Sequence, residues 1–331
     1  MPSRRIRKIQ FGGETTAGTA VVADTIYRGT GLLTDAREVV MATEDVGFLP
    51  GVTRAYTRKL EATMALDAVA AATEFLPVVF SCGIAEDTSG EADGTAGSGK
   101  IYTFVGATNA SPTLSACTLE MGDASRVDEM EYSFVTDFEI SGEAGGELML
   151  ASNWVGRQAT DAEFTALTLA DVHELMFSQG TLYIDDVDGT IGSTPVSATL
   201  LGMKLNVTTG AYAQYGASGA LYFEKQGFGI PEVMLELTYE HNASAITEIT
   251  AWRNKTSRQM RLSWSGDALG TAGTAYSYHT LQMDMAGIYE SCSTLGEQDG
   301  NDTVTCTMRV TWDPTAALFF ETIVVNVLAA W

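Results

Sequence analysis

The sequence predicts a mainly β fold, arranged as two tandem copies that each carry one short flanking helix. Three observations lead there. Apolar and polar residues alternate strictly in several stretches, helical periodicity is confined to two short segments, and similar landmarks recur about half a chain apart in 331 residues. Period-two alternation marks half-buried antiparallel strands with one wet face. With 45% hydrophobic residues, the chain can build a sizeable core.

Taken in chain order, the first landmark is a strand over Lys59–Asp67. Thr73–Gly83 follows as a helix, with Thr73 as cap, a proline in an early turn and a glycine after its end. The loop Glu86–Gly99 (EDTSGEADGTAGSG) has no apolar anchor and is expected to be mobile or interaction-bearing. "TLEM" at 118–121 precedes the alternating stretch Glu131–Ile140, in which Tyr132, Phe134, Phe138 and Ile140 share a face. Another apolar strand covers Glu147–Trp154, and Ala159–Pro195 reads as a connector with a short helix near Ala170–Phe177.

The second half repeats this order. Val233, Leu235, Leu237 and Tyr239 alternate with acids in Glu232–Glu240, and Ser244 caps a helix to Asn254 with Ile246, Ile249 and Trp252 as its apolar stripe. "TLQM" at 280–283, an alternating strand from Val304 to Trp312 and an apolar strand over Leu318–Val327 complete it. Lys59 and Glu232 lie 173 positions apart, Thr73 and Ser244 171, the tetrapeptides 162, and Tyr132 and Val304 172. Four landmarks in one order at nearly one offset indicate an internal duplication. The organisation expected is residues 1–160 as a first copy with an N-terminal arm, 161–195 as connector and 196–331 as a second copy.

Composition narrows the function. Lys and Arg number 19 against 42 Asp and Glu, a net charge of −23, which opposes phosphate binding. There is no run of eighteen apolar residues, so no membrane-spanning helix is expected, and the basic segment Met1–Lys8 lacks the apolar stretch of a signal peptide. Cys82, Cys117, Cys292 and Cys306 form no CxxC pair, which disfavours zinc. They are expected as free thiols, with Cys292 and Cys306 the pair that would form any exception.

Catalytic patterns are missing from the sequence. His173, His241 and His279 stand far apart with no metal-ligand spacing, and there is no G-x-S-x-G elbow. Gly12-Gly13 and the glycines at 94, 97 and 99 are not followed by a P-loop lysine. In Tyr183–Gly189, placing Gly189 at the invariant glycine of a calcium loop puts Ile184 at a ligand position, so an Asp-rich turn fits better than an EF-hand. No carboxylate pair is singled out for glycoside hydrolysis. The expectation is a protein that is not an enzyme, with no catalytic, cofactor-binding or metal-ligating residue.

The stretches "GGETTAGTAVVADTIYRGTG" at 12–31, "EDVGFLPGVTR" at 44–54 and "TEFLPVVFSCGI" at 73–84 resemble the tail tube (major tail) proteins of long non-contractile-tailed bacterial viruses of the siphovirus type. Glu14 followed by Gly18-Thr19-Ala20, and the helix start Glu74-Phe75-Leu76-Pro77, match that family's short motifs. "TLYIDD" at 181–186 and "SRQMRLSWSG" at 257–266 resemble its later part. The likeness implies a tail-tube-type β-sandwich or barrel, a structural virion protein whose rings stack into an acidic conduit for genome delivery, and no catalytic residues. Implied partners are other copies of itself, a tape-measure protein and tail-terminator or tail-tip proteins; DNA passes through the lumen without specific binding. The implied location is the virion tail, with the host cytoplasm during assembly.

Because single-copy members close rings of six, two copies per chain imply a homotrimeric ring that imitates a hexamer, a true hexamer being the alternative. The N-terminal segment and the loop Glu86–Gly99 are expected to make contacts between rings and to be disordered in the isolated subunit. A competing reading is a β-sandwich adhesin or carbohydrate-binding module whose Trp154 and Trp252 stack on sugar rings; a hydrolase with two unrecognised carboxylates is a third.

Overall fold

A computed structural model describes residues 6–94, 97–196, 199–293, 295–298 and 300–331. Twenty-three strands and two α-helices make the described chain mainly β. β1 (Lys8–Gly13), β2 (Thr25–Tyr27), β3 (Gly31–Asp35), β4 (Glu38–Thr43), β5 (Val52–Lys59) and β6 (Ala62–Ala70) lead to α1 (Leu76–Ser81). β7 (Glu91–Ala92), β8 (Lys100–Val105), β9 (Cys117–Asp123), β10 (Arg126–Glu143), β11 (Leu148–Gly156) and β12 (Ala159–Ala162) follow. Next come β13 (Gly180–Asp186), β14 (Pro195–Val196), β15 (Leu200–Thr208), β16 (Ala211–Gln214), β17 (Lys225–Phe228) and β18 (Glu232–Glu240), then α2 (Ala243–Asn254). β19 (Arg258–Ala268), β20 (Tyr278–Cys292), β21 (Gly296–Gln298), β22 (Asn301–Val310) and β23 (Phe320–Asn326) end the chain.

Nineteen strands join one large antiparallel sheet, while β4 with β5 and β16 with β17 form separate two-stranded ribbons. One run through it is β3, β6, β11, β10, β15, β18, β22, β20, each bonded to the next. β10 and β20 are long enough to serve two neighbourhoods. The start of β10 pairs with β9 and β12, and the start of β20 with β19 and β23. Alternation decides which face is buried: Leu205, Leu235 and Met308 align across β15, β18 and β22 and are all inside. One contiguous core extends from Ile9 to Val324. No helix of the described residues is long and apolar enough to cross a membrane.

Several sequence expectations change. The tetrapeptides do not occupy matching places: TLEM lies on β9, which pairs with β1 and β10, whereas TLQM lies on β20, which pairs with β19, β22 and β23. The connector holds β13, β14 and a 3-10 turn at Phe177–Gln179 where a helix near 170–177 was expected. Thr73 does not cap α1; its hydroxyl is taken by Glu74 and His279, and the helix starts at Leu76 with a proline in the first turn and no side-chain cap. α2 is capped by Asn242, whose carbonyl oxygen accepts the amides of Ser244 and Ala245. Its buried stripe is Ala245, Glu248 and Ala251, with Ile246 turned to solvent.

The loop Glu86–Gly99 is anchored after all. Asp93 accepts the amides of Thr274, Ala275 and Tyr276 at 2.7–3.0 Å, which ties it to a turn in the other half of the chain. Burial pushes its carboxyl up, but those three amides prevail and hold it below the usual carboxylate range. Thr95 and Ala96 in this loop, and Met1–Arg5 of the N-terminal arm, lie outside the described residues. Cys292 and Cys306 are bonded as a disulfide, because β20 and β22 place them directly opposite; Cys82 and Cys117 are free and buried.

Candidate functional site

The eight-strand run turns one face to the core and the other outward. Alternation puts Asp137, Glu139, Glu143, Glu232, Glu236 and Glu240 on the outward face, among Asn206, Thr208, Thr238 and Thr305. Lys204 and Arg309, the cations there, are both engaged: Lys204 Nζ is 2.7 Å from Glu139 Oε2, and Arg309 bridges Glu232 at 2.7 Å and Glu290 at 3.5 Å. This leaves a broad surface of hydroxyls, amides and unneutralised carboxylates. Such a face repels a polyanion weakly over its whole extent.

Long-range folding also builds a cluster that local spacing hid. His173, from the segment between β12 and β13, stacks on His279 of β20 with ring centroids 3.7 Å apart. Glu74 just before α1 receives both: His173 Nδ1–H donates to Oε1 at 2.8 Å, the His173 amide donates to Oε2 at 2.9 Å, and His279 Nδ1 is 3.7 Å from Oε1. Glu74 and His279 are only 4% and 2% exposed. Thr73 Oγ1 lies 3.0 Å from His279 Nδ1, and the amide of Asn326 donates to the Thr73 carbonyl at 2.7 Å. Burial, then neighbouring His173, holds the His279 imidazole below its ordinary range against the pull of Glu74 and Asp267.

Two imidazoles and a carboxylate within 4.8 Å of one another have the chemistry of a metal site. Their geometry argues otherwise. The rings are stacked 3.7 Å apart with planes 17° from parallel, so a cation in the plane of one ring would lie out of the plane of the other; binding by both would require one ring to turn. As built, the cluster shares protons and ties the start of α1 to β20 and β23.

Motif residues from the sequence have structural roles here. Glu14 accepts the amides of Gly18 and Tyr132 and the hydroxyl of Thr118, which holds the β10 backbone where Tyr132 adopts φ 52°. Asp185 accepts the amides of Gly192 and Ser193 and the Ser193 hydroxyl, closing the turn after β13. Trp154 is 2% exposed, with its indole bonded to Ser152, so it is no sugar platform. Trp252 is half-buried and donates to the Glu290 carbonyl. An apolar groove of about 420 Å³ beside Ile84, Phe228 and Phe320 is lined without a titratable side chain, so it has no group for acid–base catalysis. The chain matches no protein-family model, and no curated protein matches it.

Proposed function

We propose that this chain is a structural, non-enzymatic protein of two tandem copies of one β unit, and that it assembles into the tail tube of a long-tailed bacterial virus. The observation that carries this is a pattern of pairings. In the first half β1 pairs with β2 and β9, β9 with β10, β10 with β11 and β12, β11 with β6, β6 with β3, and β4 with β5. In the second half β13 pairs with β14 and β19, β19 with β20, β20 with β22 and β23, β22 with β18, β18 with β15, and β16 with β17. The two sequences of pairings are the same, with a helix after the sixth strand in each. On this reading the second copy begins at Gly180, and β7, β8 and β21 are additions peculiar to one copy.

Two further features support the reading. The units are fused edge to edge through β10 and β15, as neighbours in a ring would be, and the outward face of the joined sheet is acidic. Three chains then supply six units to a ring, and the carboxylate face lines a conduit through which DNA moves without being gripped. The remaining partners proposed, tape-measure and tail-terminator or tail-tip proteins, and the location in a virion tail, follow from the same reading. The adhesin alternative loses one of its two named aromatics, since Trp154 is in the core and Trp252 is half-buried.

Negative-stain microscopy of the purified chain tests this. Ringed tubes with threefold symmetry end-on are expected. A monomer at every concentration, with glycan binding or turnover, would sink the proposal.

A further inference from the structure

The junction inside the chain predicts the junction between chains. We infer that the β20–β21 edge of one copy of this chain pairs antiparallel with β3 of a second copy, in the register that β10 and β15 already use internally. The inference rests on the tandem-copy reading and adds the residues that meet.

The correspondence is fixed by a shared irregularity. In the first half, β10 and β11 pair as Val135 with Trp154, skip Thr136, and resume as Asp137 with Asn153. In the second, β20 and β22 pair as Tyr289 with Met308, skip Glu290, and resume as Ser291 with Thr307. Trp154 then faces Met64 and Met64 faces Leu33, while Met308 faces Leu235 and Leu235 faces Leu205. Leu33 therefore corresponds to Leu205 and Leu32 to Lys204. Beyond the skipped residue the facing strand keeps the count: Ser152 corresponds to Cys306 and Met149 to Thr303, so Ser141, which faces Met149, corresponds to Gly296, which faces Thr303.

Both edges lack what their counterparts have. Among the described residues, β15 is flanked by β18 and β10, but β3 pairs with β6 alone. Among them too, the Asp137–Glu143 part of β10 lies between β11 and β15, but β20 beyond Gly287 pairs only with β22. Side chains occupy backbone groups that a strand would otherwise take. The Leu33 amide donates to the thioether of Met121 at 3.1 Å, a weak acceptor. The Glu290 carbonyl accepts the Trp252 indole at 3.3 Å, whereas its counterpart, the Thr136 carbonyl, accepts the backbone amide of Thr209 at 2.9 Å. Unpaired strand edges of this kind are templates for strand addition.

The register makes a chemical statement as well. Internally Ser141 faces Lys204. Between chains the same position brings Gly296 opposite Leu32, which is 57% exposed in the single chain. A strand added there covers a leucine that the single chain leaves in solvent.

The test is a pair of single variants. Leu32→Cys chains and Gly296→Cys chains are mixed, allowed to assemble and mildly oxidised; facing cross-strand positions are within disulfide reach. A covalent dimer bridging positions 32 and 296 by peptide mass spectrometry is expected from the mixture and not from either variant alone. Tubes or rings without this bond would overturn the edge assignment while leaving the tube reading intact. A chain that stays monomeric at every concentration would overturn both. In parallel, Leu32→Glu should lose assembly while keeping the wild-type circular dichroism and melting curve, and unimpaired assembly of that variant would also overturn the assignment.

Discussion

The hairpins β10–β11 and β20–β22 share a bulge at the same step, yet they are locked differently at the position beyond it. Phe138 faces Ser152 in the first, and its ring packs at 5.3 Å on Phe80 of α1. Cys292 faces Cys306 in the second, joined covalently. The surroundings explain the difference. The first hairpin is flanked on both sides, by β6 and β15, and sits over a helix whose six residues are all buried. The second has a strand on one side only at this point, so a large side chain would find less to pack against. A fully flanked strand is held by burial, whereas an edge strand benefits from a bond that needs no neighbours.

Removing each lock separates the two cases. Phe138→Ala should lower unfolding stability by about 3–5 kcal/mol, read by denaturant titration, because the cavity lies within the larger core. Cys306→Ser opens a link of sequence separation 14 and should cost about 3 kcal/mol. Intact-mass labelling without reductant should find two thiols in the denatured wild type, Cys82 and Cys117, and four after reduction. Four labels without reductant would show that the second hairpin is not covalently locked.

The helices extend the comparison at a smaller scale. α1 has no side-chain cap and relies on burial, while α2 is held at its start by Asn242. Asn242→Ala should therefore cost about 1 kcal/mol, measured as a shift in thermal midpoint. The smallest effect concerns the imidazole pair that bridges the halves. Because the folded His279 pKa is below its ordinary 6.5, its neutral form contributes stability that is complete above that value and is lost as pH falls through the folded pKa. Melting temperature should decline on acidification from about pH 7 to about pH 5. His279→Gln should flatten that decline; an unchanged slope would assign the acid sensitivity elsewhere.

Local pattern carried much of this into the sequence. Glu232–Glu240 alternates everywhere but at Met234 and is β18 to the residue, because a half-buried strand writes its two faces directly into the chain. The end of α2 at Asn254 was equally legible, while its cap was misplaced from Asn242 to Ser244 because both residue types suit that position. The His173–His279 stack was not legible, since residues far apart in sequence meet only through tertiary folding. Nor was the anchoring of Glu86–Gly99: a polar loop resembles any other until Asp93 reaches the amides at 274–276. TLEM and TLQM lie on β9 and β20, whose pairings differ, so those two fragments do not carry the duplication.

The ribbon of β4 and β5 has a kinetic consequence. Among the described residues it pairs with no third strand, and Val39, Met41, Phe48 and Leu49 stand in solvent along it. An isolated pair of strands with no buried face is only marginally stable. Opening it need not wait for the core to open, so its amides in the solitary chain should exchange with solvent far sooner than those of β6 or β18. Hydrogen exchange at 38–59 is then a clock for the free subunit: fast while the ribbon is bare, slowed once another surface lies over it. Slow exchange there in a demonstrated monomer would mean that the ribbon is held by the chain itself.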